Sequence, residues 1–328
     1  MNKYLKIIIG SFISMIGLWY ALRQFNFTEF VSALSDVNYW YLVGAIVVQF
    51  SAIWFRALRW KWLLSPIKGI PTKPLFDATM IGYFGNNVLP LRMGELLRAY
   101  VVSYKYEIPT SQVIGTLVVD RILDLIALTV FAIFFLFNSE LMNIPQWIII
   151  IAIFITLFSF IFLIYIGGKN PNWQSIKQKY NLFNSTIGSK IFDIVSNVIS
   201  GLSVLKKTTN KFGVYSFILV LWILYFISFI FMAKGINLEL NLMNIGVLYV
   251  MLTLAISIPA APGYVGTYHA TCVAVLTNIY SVDLVASQTF AIVSHATVFI
   301  PFVIVGAIIF LKNSLNFSKL KSLEVSDS

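Results

Sequence analysis

GVYSFILVLWILYFISFIFMA, residues 213–233, contains no charged side chain. A second apolar stretch, QWIIIIAIFITLFSFIFLIYI, occupies residues 146–166. A helix that rises 1.5 Å per residue needs about 20 apolar residues to cross the ~30 Å hydrocarbon layer of a membrane. Both stretches are therefore predicted to be membrane-spanning helices rather than core helices of a water-soluble domain.

The composition of the whole chain agrees with this interpretation. Of its 328 residues, 59% are hydrophobic and 11% are charged, and the mean hydropathy is +0.85. Water-soluble domains carry roughly 25% charged residues, so this chain has too little polar surface for water. The net charge of +10 would suggest nucleic acid in a soluble protein, but here the basic residues lie between apolar stretches. Membrane topology explains them better, and no nucleic-acid partner is expected.

Hydropathy predicts an all-α polytopic membrane bundle with two broken segments. Six full spans are predicted at 7–22, 37–55, 112–137, 146–166, 213–233 and 285–311. Two further stretches, 75–105 and 244–280, are interrupted by GYFGNNVLPLRMGE and IPAAPGYVGTYH. Glycine and proline weaken a helix, so each stretch is either a re-entrant hairpin or a kinked helix, which would give about eight spans. The residues expected in the breaks are Asn86, Asn87, Pro90, Pro262, Gly263 and Gly266.

The distribution of charge favours hairpins that enter and leave on one side. Both termini are then cytoplasmic in a multi-pass protein of the cytoplasmic membrane. All lysines and arginines lie inside except Arg23, Lys234 and the intramembrane Arg121. The predicted inner segments are the loops 56–74 and 167–212 and the tail 312–328.

This arrangement predicts an inverted repeat within a single transmembrane domain, 1–328. The first half is 1–137 and the second half is 146–311, and each contains one broken stretch. Paired interruptions at corresponding positions of two inverted halves indicate a substrate site at mid-membrane depth in transporters. The alternative is that glycine and proline merely kink two ordinary helices.

The first broken stretch carries the charged sequence LPLRMGELLRAY, residues 89–100. Arg92, Glu95 and Arg98 are spaced by three residues, which places them on one side of a helix expected to begin after Pro90. The start of such a helix offers free N–H groups to an anionic headgroup. A salt bridge between Glu95 and Arg98 that anchors the hairpin is an equally valid interpretation.

A second group of charges lies inside a predicted span, in VVDRILDLIAL at 118–128. Asp120 and Asp124 share one face of the helix, and Arg121 lies beside them. Charges at membrane depth are costly, so they are expected to face the bundle interior, within reach of the arginines of the first hairpin. They either line a path for substrate or ions or form a buried ion-pair cluster.

Two histidines and two further arginines complete the candidate residues. His269 follows the second interruption and His295 lies in the last span. They are either satisfied hydrogen-bonding groups or parts of a shared polar site that could couple to protons. Arg56 and Arg59, in WFRALRWKW, are expected at the inner end of the second span, where they either bind lipid phosphate or anchor the helix.

The chain resembles the lysylphosphatidylglycerol synthase transmembrane-region family, also called flippase-like membrane proteins. The resemblance rests on RALRWKWLL (56–64), GYFGNNVLPLRMGELLRAY (82–100), VVDRILDL (118–125) and IPAAPGYVGTYHATCVAVL (258–276). It implies paired re-entrant segments and movement of lipids with charged or large headgroups between leaflets. It also implies a polar cavity that contains Arg92, Glu95, Arg98, Asp120, Arg121 and Asp124.

Two departures from that family are noted. Many members carry Glu at the place of His269 and Arg at that of His295. The soluble aminoacyl-transferring domain of the bifunctional members is not expected, because nothing after residue 311 is long enough to fold.

The leading hypothesis is a lipid flippase, with a phospholipid, an aminoacylated lipid or a polyprenyl-linked lipid as partner. An integral membrane transferase acting on a lipid-linked substrate and a non-transporting membrane subunit are the alternatives. No nucleophile-His-acid arrangement, HExxH or phosphate loop occurs, so no catalytic residue is predicted. No cofactor or metal is predicted either, since the single cysteine, Cys272, is expected to pack. The oligomeric state is left open.

Overall fold

A computed structural model describes residues 3–89, 93–137, 186–257 and 261–313, and a few single positions between 150 and 165. Within these residues the chain is all-α, as predicted. The helices are α1 (Lys3–Ala21), α2 (Phe27–Ser35), α3 (Tyr39–Leu64), α4 (Thr72–Val88), α5 (Gly94–Tyr106), α6 (Thr110–Phe137), α7 (Thr186–Leu202), α8 (Val204–Lys207), α9 (Lys211–Gly235), α10 (Leu242–Ser257), α11 (Thr267–Asn278) and α12 (Leu284–Lys312), with a 3-10 turn at Pro262–Tyr264.

The described helices reproduce most of the predicted spans. Helices α1, α6, α9 and α12 begin and end within a few residues of the predicted bounds. Among the described residues, α3, α9 and α12 are long and apolar enough to cross a membrane by length and composition. The predicted span at 146–166 lies outside the described residues except for single positions. The polytopic membrane fold class is therefore confirmed.

Helix α3 extends well beyond its predicted end at residue 55. It runs to Leu64, so the predicted inner loop 56–74 begins only at Ser65. The extension is stable because Trp60 and Leu63 are fully buried and continue the apolar face of the helix. Arg56 and Arg59 of this segment are instead inside the bundle, where acidic side chains pair with them.

The first broken stretch is a helical hairpin. Helix α4 ends at Val88 and packs against α5, which begins at Gly94 rather than just after Pro90. Asn86 and Asn87, expected in the break, form the last turn of α4. Proline disfavours helical geometry in the residue before it, and Leu89 is accordingly extended. Residues 90–92, which include Pro90 and Arg92, lie outside the described residues.

The second broken stretch joins α10 to α11, which also pack against each other. The chain passes through the 3-10 turn at Pro262–Tyr264 and enters α11 after Gly266. Gly263 has φ +68° and Gly266 has φ +96°, a region that side chains with a Cβ rarely adopt. A Cβ on Gly266 would also overlap the carbonyl of Ser14 on α1. The backbone here is therefore irregular and enclosed by protein, as expected within a membrane.

Each hairpin packs against a helix of the other half of the chain. Helices α3 and α9 form the central pair, joined where the Ser228 hydroxyl donates to the Ala45 carbonyl at 3.0 Å. Helix α4 of the first hairpin packs against α12, and α10 of the second hairpin packs against α6. Helix α4 also contacts the 3-10 turn of the second hairpin. The inverted repeat stays a prediction, with which these contacts agree.

The predicted inner loop 167–212 contains helices α7 and α8. Helix α7 has apolar residues along one face and docks on α6 where Gly201 faces Gly115. An added Cβ at Gly201 would lie 2.8 Å from the Gly115 Cα, so the two helices are in backbone contact. Residues 167–185 of this loop and the predicted tail after 313 lie outside the described residues.

Candidate functional site

A network of four charged side chains joins α3 to α6. Arg59 donates from Nε to Asp120 Oδ1 at 2.9 Å, and from Nη2 to Asp120 Oδ1 at 2.5 Å and Asp124 Oδ1 at 2.7 Å. Arg56 donates from Nη2 to Asp120 Oδ2 at 3.2 Å and to Asp124 Oδ2. The spacings of three residues on α3 and four on α6 bring both pairs onto facing surfaces. We refer to Arg56, Arg59, Asp120 and Asp124 as the ion-pair core.

The ion-pair core is almost sealed from solvent. The side chains of Arg56, Arg59 and Asp120 are exposed by 5% or less, and that of Asp124 by 14%. Arg56 lies eight residues before the end of α3, which corresponds to a depth of about 12 Å along the helix. Buried charges are tolerated when each is paired and hydrogen-bonded, and here the two positive and two negative charges balance.

The location of Arg56 and Arg59 differs from the sequence interpretation. They were expected at the inner interface as ligands for lipid phosphate or as anchors, whereas both are buried and bonded to carboxylates. Asp120 and Asp124 do face the bundle interior, as membrane-depth charges should. Arg121, for which the same was expected, instead has a side chain that is 48% exposed.

Arg98 of α5 lies against the ion-pair core. Its Nη1 is 3.5 Å from Asp120 Oδ2 and 4.0 Å from Glu95 Oε2, and its Cζ lies 3.9 Å from the centroid of the Trp60 ring. Trp60 is held in turn by an Nε1 hydrogen bond to the Thr116 hydroxyl at 3.0 Å. The Nε and Nη2 groups of Arg98 are buried and have no hydrogen-bond partner within the described part of the chain. Arg98 therefore keeps two donor groups that are unused among these residues.

Arg121 and Glu95 form a second ion pair at the edge of the site, which we call the outer pair. The Arg121 side chain is 48% exposed and the Glu95 side chain 28% exposed. Arg121 Nη1 is also 3.8 Å from Asp124 Oδ2, so the outer pair adjoins the core. Val118 and Leu125, on the same face of α6 as Arg121, are exposed apolar residues. The charged cluster thus reaches the lateral surface of the bundle, where lipid would lie.

Two tyrosines that the sequence analysis did not select also belong to this site. Arg56 Nη1 donates to the hydroxyl of Tyr83 on α4 at 3.4 Å and to that of Tyr225 on α9 at 3.5 Å. The hydroxyls bring the first hairpin and the central helix pair into the same network. In the sequence, each of these tyrosines is distinguished only by a hydroxyl within an apolar stretch. Most tyrosines at a membrane interface have the same feature, so it does not identify a site.

The two predicted histidines are neighbours on α11 and α12. Their ring centroids are 4.8 Å apart, and His295 Nε2 lies 2.8 Å from the Gly263 carbonyl oxygen. A carbonyl only accepts, so Nε2 of His295 carries the proton. His269 is buried, and its Nδ1 has no partner within the described ranges. The pair thus lies at the second interruption. This interruption is close to the first hairpin, since a Cβ added to Gly263 would lie 3.5 Å from the Asn87 carbonyl oxygen.

His295→Phe is expected to lower the free energy of unfolding by about 1–3 kcal/mol, because the buried Gly263 carbonyl would lose its donor. Phenylalanine keeps the stacking of residue 295 on Phe299. Thermal unfolding of purified protein in detergent measures the change. The matched control is His269→Phe, which removes no hydrogen bond recorded in the described structure. Equal melting of the two variants would contradict the role assigned to His295.

In the described part of the chain, no three His, Cys, Asp or Glu side chains are grouped so that they could hold a metal ion. Cys272 lies in the hydrophobic core of α11.

The all-α bundle, the two interrupted hairpins and the intramembrane charged cluster define a polytopic membrane protein. The family described as "Lysylphosphatidylglycerol synthase TM region" matches residues 7–306, and the chain belongs to this family. The resemblance found in the sequence is thereby confirmed.

Similar proteins are known from archaea. The UPF0104 membrane protein of Methanothermobacter thermautotrophicus is 22% identical over 73% of this chain and 75% of its own. UPF0104 membrane protein MJ1595 of Methanocaldococcus jannaschii is 29% identical over 40% of each chain. Glycosyltransferase AglD of Haloferax volcanii is 29% identical over 39% of this chain and 20% of its own length. The matches to MJ1595 and AglD thus span less than half of those proteins. No solved structure matches the chain significantly.

Proposed function

We propose that this protein moves a lipid with a phosphate-bearing headgroup across the cytoplasmic membrane. The observation that carries the proposal is a charged cluster at membrane depth that reaches the lateral surface of the bundle. In this cluster four guanidinium groups face three carboxylates. Membership in the lysylphosphatidylglycerol synthase TM region family supports a lipid-related role.

The arrangement suits the physical problem of lipid translocation. A headgroup must lose water as it crosses the hydrocarbon layer, while its tails remain in lipid. Paired charges and tyrosine hydroxyls inside the bundle can replace that water. The outer pair lies beside exposed apolar residues, so a lipid could insert its headgroup without withdrawing its tails. The two hairpins supply interrupted helices next to this path, as transporters do at their substrate sites.

The test is transbilayer movement in liposomes containing the purified protein. Lipids labelled with a dithionite-sensitive fluorophore on an acyl chain are placed in both leaflets. We expect dithionite to bleach only the outer-leaflet share in empty liposomes and nearly all label in liposomes with wild-type protein. Bleaching equal to that of empty liposomes across anionic, zwitterionic and aminoacylated lipids would contradict the proposal.

Arg98→Gln is expected to slow this movement by about tenfold or more, because a hydrogen bond to a charged group contributes about 1.5–3 kcal/mol. Arg121→Gln, which breaks the outer pair, should also slow it. The matched control is Lys73→Gln, which removes an exposed cation paired with Asp77. Full activity of both arginine variants would contradict the role of this charged cluster in moving the lipid.

A transferase acting on a lipid-linked substrate is the second candidate. It is favoured by one observation, the partial match to a protein named glycosyltransferase AglD. Incubation of the purified protein with radiolabelled polyprenyl-linked or acyl donors would test it. A labelled lipid product that depends on the protein would replace the transport proposal, whereas the absence of product with all donors would contradict the transferase.

A further inference from the structure

We propose that the site selects lipids whose headgroup is a phosphodiester with a net charge of −1, bound by the Nε and Nη2 donors of Arg98. This inference rests on the proposed function and deepens it, because it names the substrate class. It predicts preference for an anionic glycerophospholipid over zwitterionic and aminoacylated ones.

The first step is the geometry of Arg98. Its Nη1 points to Asp120 and Glu95, and its face covers the Trp60 ring. The remaining Nε and Nη2 groups form one edge of the guanidinium, and neither has a partner among the described residues. Two parallel N–H donors match two oxygens of a phosphate group. Leaving such donors buried and unpaired is unfavourable, so the edge is suited to a ligand.

The second step is the charge balance of the cluster. Within the described residues, the ion-pair core is neutral and the outer pair is neutral. Arg98 is the remaining charge. The two carboxylates near it, Asp120 and Glu95, are already paired with other arginines. A headgroup with charge −1 would balance the charges of these described residues. An aminoacylated headgroup with a net positive charge would add a second uncompensated charge at membrane depth, which is strongly disfavoured.

The third step concerns the part of the headgroup beyond the phosphate. Glu95 Oε2 is buried, accepts no hydrogen bond in the described structure and lies 4.0 Å from Arg98 Nη1. It can accept a hydrogen bond from a hydroxyl placed next to a phosphate bound at Arg98. Glycerol headgroups supply such a hydroxyl. Glu95 also belongs to the outer pair, which reaches the lateral surface. The same residue therefore lies at the entrance and beside the anion site.

Competition binding with purified protein in non-ionic detergent tests this inference. Acyl-labelled phosphatidylglycerol is displaced by unlabelled phosphatidylglycerol, phosphatidylcholine, phosphatidic acid or lysylphosphatidylglycerol at physiological salt. We expect phosphatidylglycerol to compete about tenfold better than the zwitterionic and lysylated lipids, because the cationic groups of those lipids leave the charge of Arg98 uncompensated. Phosphatidic acid, a phosphomonoester, should compete less well than phosphatidylglycerol.

Three variants separate the effect of the planar donor pair (the fork) of Arg98 from the effect of its positive charge. Arg98→Gln should bind the four lipids with equal affinity. Arg98→Lys keeps the charge but lacks the planar fork, so it should bind phosphatidylglycerol more weakly than wild type while still preferring it to phosphatidylcholine. Lys73→Gln should retain the wild-type preference. Size-exclusion chromatography confirms that each variant is folded, and the lysine variant carries the test if the glutamine variant is not.

The outcomes distinguish this inference from the proposed function. Equal competition by all lipids, stronger competition by the lysylated lipid, or an unchanged preference in both Arg98 variants would overturn the assigned substrate class. Movement of all lipids at equal rates in liposomes would also overturn it and leave translocation intact. Selective binding without transbilayer movement would overturn translocation and support the binding site.

Discussion

Asp120→Asn is expected to lower the free energy of unfolding by about 3–5 kcal/mol, the range found when one partner of a buried ion pair is removed. Asp120 accepts hydrogen bonds from Arg56 and Arg59 and is 3.5 Å from Arg98. Its side chain is only 1% exposed, so water cannot replace the lost charge. Two of these arginines would then share the single carboxylate of Asp124, and a net positive charge would remain inside the bundle.

Thermal unfolding in detergent, followed by the loss of the monodisperse chromatographic peak, measures this effect. The matched control is Asp77→Asn, which breaks a pair with the exposed Lys73. Exposed pairs contribute about 0–1 kcal/mol, so the control should melt close to wild type. A melting temperature of Asp120→Asn equal to that of the control would show that the ion-pair core does not stabilise the fold.

The double variant Asp120→Asn with Arg59→Gln tests the charge argument directly. It removes one positive and one negative charge from the same network, so the net charge of the core returns to zero. We expect the double variant to be more stable than the sum of the two single effects predicts, because residues in one ion-pair network are coupled. Additive losses would mean that packing, rather than charge balance, explains the single variants.

The sequence predicted the elements of this site better than their pairing. The rule that charges at membrane depth face the interior predicted the burial of Asp120. It did not predict that Arg56 and Arg59 are its partners, because the arginines are some sixty residues earlier and their basic, tryptophan-rich surroundings resemble an interface. Only the contact between α3 and α6 reveals that the two spacings are complementary.

The fold was likewise predicted well in some features and less well in others. Apolar length identified α6, α9 and α12 nearly to the residue, because the hydrocarbon layer sets that length. The ends of α3 and α4 were predicted less well. Both helices continue through polar residues, Arg56 in one and Asn86 in the other, whose side chains are enclosed by neighbouring helices. Hydropathy contains no information about such neighbours.

Gly94→Ala is the second substitution with a large expected effect, because the first hairpin closes directly on this residue. A Cβ at Gly94 would overlap the carbonyl oxygen of Gly82 and would lie 2.5 Å from the Asn86 nitrogen. Both are backbone atoms of α4, so no side chain can rotate to make room. The two helices must separate, and overpacking of this kind costs about 1–3 kcal/mol or more.

The separation would also move Arg98, which lies one turn further along α5 and packs its Cβ 3.1 Å from the position of a Cβ on Gly82. We therefore expect Gly94→Ala to lower both the melting temperature and the binding of anionic lipid. Gly69→Ala is the control, since nothing lies within 4 Å of its added Cβ. A variant that melts early yet binds lipid normally would show that the hairpin contact stabilises the fold without positioning Arg98. Loss of both properties would show that the close contact between α4 and α5 is needed to form the site, because the backbone spacing of the hairpin sets the position of Arg98 relative to Asp120.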